Sequence, residues 1–428
     1  FVEVALKAAQ RFGVATTSVH LDSSSFHVDG EYERTVTEGD EPAAIAITDG
    51  YSRDHRADLK QFVVDLMCSG DGDIPLYLRV GDGNESDKAV FAQLMGQFKA
   101  QLNFDALFVA DSALYSQENL QALAGLRWLS RVPATLKQAK ECLQDTADEA
   151  LVTTQMEGYR VAGLKRQFGG IEQPWLVVES EARKASDLKQ LVKQLSVQQK
   201  KANAQLQKLS RKRFACAADA LAAATELEGT WRYHCLGQVT VAEHPLKAKR
   251  RNTPSSDPSL SPLCFGVQAT LVEEATAIAT ETRRAGRFIL ATNVLDSTEL
   301  SDEDLLREYK AQQSTERGFR FLKDPLFFTS SVFLKSPHRV AALAMIMGLC
   351  LLVYSLGQRK LRQALSQSKQ SLKNQLKKPT QMPTLRWVFQ CFQSVHLVWI
   401  DNLVQVVNLT EERQHILHFL GAACQKYY

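Results

Sequence analysis

Hydrophobic and polar positions in the first third of the chain predict several strands and one helix. Residues 16–27 alternate in polarity and are rich in β-formers, which is typical of a strand. The apolar runs 62–67 and 74–80 flank an Asp/Gly-rich turn and predict a hairpin. A helix over 87–101 and a short buried strand over 106–110 follow. We therefore predict an α/β fold, in which the carboxyl ends of neighbouring strands can converge on one crevice.

The pattern changes after residue 133 and changes back near residue 281. A strand-like patch covers 159–178, a long polar helix is predicted over 184–224, and a basic loop follows it. Residues 287–293 read as a strand again, and a capped helix after it carries Tyr309 to Lys323. The rest is predicted to be helical. We interpret these changes as a core in two parts around an insertion domain, followed by a helical C-terminal region, with boundaries at 1–133, 134–280, 281–362 and 363–428.

One apolar segment raises the question of a membrane. Residues 340–357 carry no charged side chain, and their length is at the lower edge of a membrane span. Glycine, serine and three alanines dilute the segment, and basic residues flank it closely. We expect a buried core helix here and keep a membrane anchor as the alternative.

Composition adds little to the choice of function. Apolar residues make up 45% of the 428 residues and charged residues 23%, which is ordinary for a soluble globular protein. The net charge of +3 is too small to indicate nucleic-acid binding by itself. The eight cysteines are scattered without a CxxC pair, which favours a reduced, cytoplasmic compartment without structural zinc. The chain opens Phe-Val-Glu-Val without an initiator Met or a signal peptide, so we expect a fragment of a longer protein.

The most informative segment is the helix predicted around residue 316. Tyr309, Glu316 and Lys323 are spaced seven apart, so they point the same way, and Gln312 lies beside them one turn on. An acid between a phenol and an ammonium suits a site that handles metal and phosphate. Asp22 and Asp111, at predicted strand ends, complete a set of three carboxylates. Two-metal phosphoryl transfer with Mg²⁺ or Mn²⁺ requires such hard oxygen ligands, although single acids are more often solvated or cap turns.

These residues also resemble a known family, the DDE transposases of bacterial insertion sequences. His20-Leu-Asp22 is similar to the family's first-aspartate strand, and Val109-Ala-Asp111 is similar to the second. The helix resembles the Tyr-Arg-Glu-Lys signature, with Gln312 at the arginine position and therefore one charge fewer for phosphate. The segments 50–56 and 319–325 resemble the branch of IS1634-type elements.

The resemblance implies a fold and a role for each residue. The fold would be a ribonuclease H-like mixed sheet with flanking helices, interrupted by a large insertion before the glutamate helix. Asp22, Asp111 and Glu316 would bind two Mg²⁺ or Mn²⁺ ions. Further residues are candidate DNA contacts: Tyr309, Gln312, Lys323, Arg320, Arg131 and Phe288. For Arg131 and Arg320 a solvated surface is the alternative. Phe288 occupies the position of a base-stacking tryptophan in relatives, and a core aromatic is the alternative.

Three features remain open at this stage. The basic loop at Lys249–Arg251 is a candidate DNA contact or a flexible exposed loop. His27 and His55 could suggest acid–base chemistry, but two-metal transfer needs no further general base. The apolar residues around Trp387–Leu397 are expected on a helix that serves dimerisation or packs on its own core.

The function implied is DNA transposition. Such an enzyme would hydrolyse phosphodiesters at the transposon ends and transfer the freed 3′-hydroxyls into target DNA. Its partners would be the terminal inverted repeats, target DNA and a second copy in a paired-end complex. No Walker loop or GxGxxG motif indicates a nucleotide cofactor. The alternatives are an inactive or domesticated copy that only binds DNA, and a helical membrane protein.

Overall fold

The computed structural model describes most of the chain. The described residues are 1–32, 44–51, 56, 58–101, 105–245, 263–324, 334, 336–401 and 403–428. The predicted basic loop at Lys249–Arg251 and His55 lie outside this part of the chain.

The described part of the chain contains both strands and helices. The strands are β1 Ser18–Val28, β2 Lys60–Ser69, β3 Pro75–Gly81, β4 Leu107–Ala110, β5 Arg127–Val132, β6 Val152–Thr153, β7 Tyr159–Phe168, β8 Ile171–Ser180, β9 His234–Pro245, β10 Leu263–Glu273, β11 Arg287–Thr292, β12 Leu372–Lys373, β13 Pro379–Thr380, β14 His396–Ile400 and β15 Leu403–Val407. The helices are α1 Val2–Arg11, α2 Asp87–Ala100, α3 Gln117–Ala122, α4 Lys137–Asp145, α5 Glu181–Arg211, α6 Ala217–Glu228, α7 Ala275–Arg284, α8 Asp302–Ala311, α9 Gln313–Leu322, α10 Pro337–Gln367, α11 Leu385–Phe392, α12 Glu411–Leu420 and α13 Ala422–Gln425.

The chain divides into two compact units, and neither is continuous in sequence. The first unit contains residues 1–132, 165–175 and 290–428. The second contains residues 133–164 and 176–289. The fold is thus a mixed α/β architecture with a large mixed sheet, as the strand and helix pattern of the sequence predicts.

Five strands of the nine-stranded sheet lie entirely within the first unit, in the order β3-β2-β1-β4-β5. β1 pairs antiparallel with β2, and β2 pairs antiparallel with β3, so the predicted hairpin is present. β4 lies parallel to β1 on its other side, and β5 lies parallel to β4. Directly paired residues point to the same face of a sheet, so these registers determine which side chains share a face.

One face of β1 and β2 is covered by helices. Phe26 and Val28 of β1 and Phe62, Val64 and Leu66 of β2 form a buried cluster with residues of α9 and α10. These strand residues all have even numbers, because successive side chains of a strand alternate between faces. The even-numbered side chains of β1, including Asp22, therefore point toward the helices.

The apolar segment at 340–357 forms the central part of α10. Its buried residues recur every three or four positions, from Val340 through Ala344 and Leu351 to Leu365, as expected for a helix packed on a core. By length and composition α10 could also cross a membrane, and 39% of its most apolar window is buried. One such helix in the described residues is weak evidence for a membrane protein.

The structure corrects two predicted helices outside the core. The polar helix predicted over 184–224 is two helices, α5 and α6, because the backbone of Phe214 between them forms two hydrogen bonds with Phe265, each 2.9 Å long. The C-terminal region is not purely helical, because β14 and β15 form an antiparallel hairpin there. Leu397, which we expected on a helix with Trp387, lies on β14.

Candidate active site

Asp22, Asp111 and Arg131 form a row across three neighbouring strands. The parallel registers pair Leu21 of β1 with Ala110 of β4, and Ala110 with Ser130 of β5. Asp22 follows Leu21, Asp111 follows Ala110, and Arg131 follows Ser130. All three residues therefore come directly after the last paired position of these parallel registers. Neighbouring strands lie about 4.8 Å apart, which places the backbones of the three residues side by side. The two predicted aspartates are thus brought together, with a predicted phosphate contact beside the second.

The position of Asp22 differs from the prediction in one respect. We expected it at the end of a strand, but it lies in the middle of β1, opposite Leu66 of β2. β1 continues past Asp22 because β2 pairs with it from Val19 to Val28, whereas its pairing with β4 ends at Leu21. Asp22 therefore marks the point where β1 loses its parallel partner, and its other edge becomes accessible.

Helix α9 packs directly beside this point. A Cβ added at Gly318 would lie 2.6 Å from Leu66 Cδ2, so only glycine allows the helix to approach the strand this closely. Leu66 is the cross-strand partner of Asp22, and both side chains are on the same face of the sheet. Glu316 lies two residues before Gly318 in α9. It is therefore within one helical turn of the contact between Gly318 and Leu66, the residue that pairs with Asp22.

The helix predicted to carry all four signature residues is interrupted. α8 ends at Ala311, Gln312 forms a turn, and α9 begins at Gln313. The turn is tight, because the amide of Gln312 bonds to the carbonyl of Tyr309 at 3.2 Å and the amide of Thr315 bonds to that of Gln312 at 3.2 Å. Tyr309 therefore belongs to a different helix from Glu316. The regular spacing of seven residues does not place Tyr309, Glu316 and Lys323 along one face of a single helix, as we predicted.

The remaining predicted residues of α9 follow β1 toward its end. Glu316 and Arg320 are exposed and lie one turn apart on the same side of the helix. Lys323, just past the last helical residue, places its Nζ 5.2 Å from the centroid of the Phe26 ring. Phe26 lies four residues after Asp22 on the same face of β1. Glu316, Arg320 and Lys323 thus form a mixed acidic and basic edge beside β1.

On the opposite face, a buried network holds the residue next to Asp22. The amide of Ser23 donates to Asp22 Oδ1 at 2.9 Å, while the Ser23 hydroxyl donates to the buried carboxylate of Asp65. Arg79 donates to Asp65 at 2.9 Å and to both oxygens of Glu85 at 2.8 and 2.7 Å. Burial raises the pKa of Asp65, and Ser23 and Arg79 oppose that rise. Asp65 was not among the predicted site residues, although a charged residue inside an apolar strand is a usable signal.

A second set of polar residues lies beneath α8 and α9. His20 is fully buried two residues before Asp22, with its Nε2 3.8 Å from Glu308 Oε2 of α8. Burial lowers the pKa of His20 to about 4, an effect that Asp73 opposes and Arg317 strengthens. Arg317, next to Glu316, donates to both oxygens of Asp73 at 2.7 and 2.6 Å. This bidentate pair fixes α9 to the turn between β2 and β3.

Phe288 lies in the second unit and is not near solvent. Its side chain is 8% exposed on β11, and the Arg183 guanidinium lies 5.9 Å from its ring centroid. A buried ring that already contacts a cation is typical of a core aromatic, the alternative to base stacking.

The carboxylates of the row offer the oxygen ligands that Mg²⁺ and Mn²⁺ prefer. Asp111 Oδ1 accepts the amide of Ala113 at 2.9 Å, which orients this carboxylate at the end of β4. Within the described ranges, no three Asp, Glu, His or Cys side chains converge closely enough to hold a metal ion. The oxygen ligands that Asp22, Asp111 and Glu316 offer fit such ions in chemical type.

The chain is thus an α/β protein with an acidic site, in which two aspartates on neighbouring strands lie beside the helix that bears Glu316. The sequence matches the transposase DDE domain family over residues 19–353, and the chain belongs to this family.

Two solved transposase structures are similar to the chain at low levels. One is a piggyBac transposase synaptic complex with hairpin DNA, with 8% identity and a TM-score of 0.35, covering 79% of this chain and 46% of that one. The other is a Mos1 transposase paired-end complex with the left transposon end, with 16% identity and a TM-score of 0.18, covering 30% of this chain and 38% of that one. This chain thus spans about half the length of the piggyBac chain. A search of curated proteins finds no match.

Proposed function

We propose that this transposase hydrolyses phosphodiesters at transposon ends and transfers the 3′-hydroxyls into target DNA. The observation that carries the proposal is the row of Asp22, Asp111 and Arg131 beside the helix that bears Glu316. Membership in the transposase DDE domain family supports the same chemistry. We also propose that the chain belongs to the branch of IS1634-type elements, although Gln312 stands at the arginine position of the signature.

Each residue has a proposed part in the reaction. Asp22, Asp111 and Glu316 would hold two Mg²⁺ or Mn²⁺ ions, which polarise a phosphodiester and stabilise its leaving oxygen when bound. Arg131, Arg320 and Lys323 would bind and orient the DNA phosphates through charged hydrogen bonds. Tyr309 and Gln312 would also contact the DNA phosphates, through weaker hydrogen bonds because their side chains are uncharged.

The architecture around the site is part of the proposal. The first unit would be a ribonuclease H-like core, which is consistent with three antiparallel strands followed by two parallel ones. Residues 134–280 would be the insertion domain. Transposon-end repeats, target DNA and a second copy in a paired-end complex would be the partners, in the bacterial cytoplasm.

The test is nicking and strand transfer on supercoiled DNA with Mg²⁺ or Mn²⁺. We expect Asp111→Asn to reduce both activities to background, while preserving the turn because an asparagine oxygen still accepts the amide of Ala113. Asp145→Asn, an exposed aspartate at the end of α4, is the matched control and should retain activity. Equal activity in wild type and Asp111→Asn would contradict the proposed site. A folded chain that binds DNA without cutting it would support the inactive, DNA-binding alternative.

A further inference from the structure

The second unit contains a small polar pocket that the proposed reaction does not use. The pocket has a volume of about 170 Å³ and lies between α5 and the segment Thr230–His234 that leads into β9. The α5 residues that line it lie three, four and seven positions after the first and therefore form one face of the helix: Gln198, Lys201, Ala202 and Gln205. Space of this size holds a few waters or one small polar group.

The wall opposite α5 is held in place by several hydrogen bonds. Trp231 Nε1 donates to Gln205 Oε1 at 2.8 Å, which joins the segment directly to the helix. The Trp231 amide bonds to the carbonyl of Glu228 at 2.9 Å, and the carbonyl of Tyr233 accepts the amide of Glu274 at 2.9 Å. The pocket is therefore defined by fixed side chains on both sides.

His234 is the residue that indicates a ligand. Its side chain lines the pocket and is only 4% exposed, yet neither ring nitrogen has a hydrogen-bond partner among the described residues. An imidazole always has at least one N–H donor, and leaving a buried donor unpaired destabilises the folded state. A polar guest in the pocket would remove that cost.

The charges around His234 favour an anion. Lys201 and Arg232 line the pocket, and no lining residue is an aspartate or glutamate. Arg232 is partly neutralised, because it donates to Glu281 Oε1 at 2.8 Å and lies 5.0 Å from the Tyr233 ring centroid. Lys201 has no ion pair within the described part of the chain, so its charge is available to a guest.

We propose that this pocket binds a phosphate-type oxyanion, held by the His234 ring N–H, the Lys201 ammonium and the Arg232 guanidinium. The Gln205 amide adds N–H donors, since its oxygen is already bonded to Trp231. The oxyanion could be a backbone phosphate of bound DNA or a free phosphate, because both present the same acceptor oxygens. Binding here requires no cleavage, so it can be tested independently of the proposed reaction.

The experiment follows the histidine signals of the full chain by NMR, with carbon-13 at the histidine Cε1. His234→Gln identifies the His234 signal among the nine histidines. Inorganic phosphate is titrated at constant ionic strength against chloride, and a short DNA duplex is titrated separately. We expect phosphate to shift the His234 signal to saturation, and Lys201→Gln to weaken that binding by about tenfold. Lys200→Gln, an exposed neighbour that does not line the pocket, is the matched control and should bind as wild type.

Each outcome decides the proposal. A shift with duplex but not with inorganic phosphate would support a DNA backbone phosphate as the occupant. A shift with both would support a general phosphate site. No shift with either, or equal shifts in Lys201→Gln and wild type, would overturn it. Asp111→Asn should bind phosphate normally, so loss of nuclease activity and loss of this site are separate results.

Discussion

At the scale of single residues, Ser23 joins the two faces of β1. Its amide holds the Asp22 carboxylate, and its hydroxyl holds Asp65 on the other face. The position of Asp22 thus depends on a buried carboxylate that would not itself touch DNA. Loss of a partner in a buried polar network of this kind destabilises the folded state. Asp65 and Arg79 therefore restrict the position of Ser23 from the opposite face of the sheet.

His20 gives the stability of the chain a specific dependence on pH. Its folded-state pKa of about 4 lies below the ordinary 6.5, so between these values the unfolded state binds more protons. Stability therefore falls as pH drops through that range, by about 2 kcal/mol for this group between pH 7 and pH 5. We expect His20→Gln to lose that much less stability over the same change, measured by urea unfolding at both pH values.

His396→Gln is the matched control, because His396 is exposed on β14. It should retain the wild-type pH dependence. The same dependence in His20→Gln would mean that His20 is not buried in its neutral form.

At the scale of elements, α9 is positioned by contacts at three places. Gly318 approaches Leu66, Arg317 bonds to Asp73, and Lys323 lies against Phe26. The helix is short, so each of these contacts restricts the orientation of Glu316. Changes at buried positions of α9 should therefore affect both the stability of the chain and the proposed catalysis.

Two helical glycines provide a direct comparison. A Cβ at Gly318 would lie 2.6 Å from Leu66 and 3.3 Å from Leu351, both fully buried, whereas a Cβ at Gly96 of α2 would meet nothing within 4 Å. Alanine favours a helix over glycine by about 1 kcal/mol, so Gly96→Ala should raise the thermal unfolding midpoint. Gly318→Ala should instead lose about 1–3 kcal/mol, because the core must move. An increase in stability for both variants would contradict the packing described for α9.

The elements also show what the sequence could and could not predict. Strong local signals placed β1, the β2–β3 hairpin, β4 and α10 correctly, because their polarity follows the period of a strand or a helix. The break at Gln312 was not predicted, and neither was the separation of α5 from α6, which depends on the bonds between Phe214 and the distant Phe265. The row of Asp22, Asp111 and Arg131 depends on strand register, which local pattern does not specify.

At the scale of the whole molecule, two units are built from interleaved segments of one chain. The first unit uses three segments and the second uses two. Both ends of the sequence belong to the first unit, so truncation from either end removes strands or helices of that unit. Experiments on this protein are better made with the full chain and point substitutions.

Cysteine reactivity is a test of the molecule as a whole. Three of the eight cysteines are exposed: Cys216, Cys350 and Cys424. Three others are buried, and burial raises the pKa of Cys68 well above its usual range. A thiol reagent should therefore modify three cysteines rapidly in the native chain and all eight after unfolding. Cys424→Ser should remove one rapid equivalent, and rapid reaction of all eight in the native chain would contradict the fold.

Alternation along β1 also has a genetic consequence. Deleting one codon between Val19 and Leu21 would preserve the reading frame, but it would turn the Asp22 carboxylate to the face that Ser23 now occupies. Length changes between the strands would leave the row intact, because pairing between neighbours and not chain length aligns Asp22 with Asp111. Natural variants of this gene should therefore differ in length between strands, and codon-sized deletions inside β1 should be lost by selection.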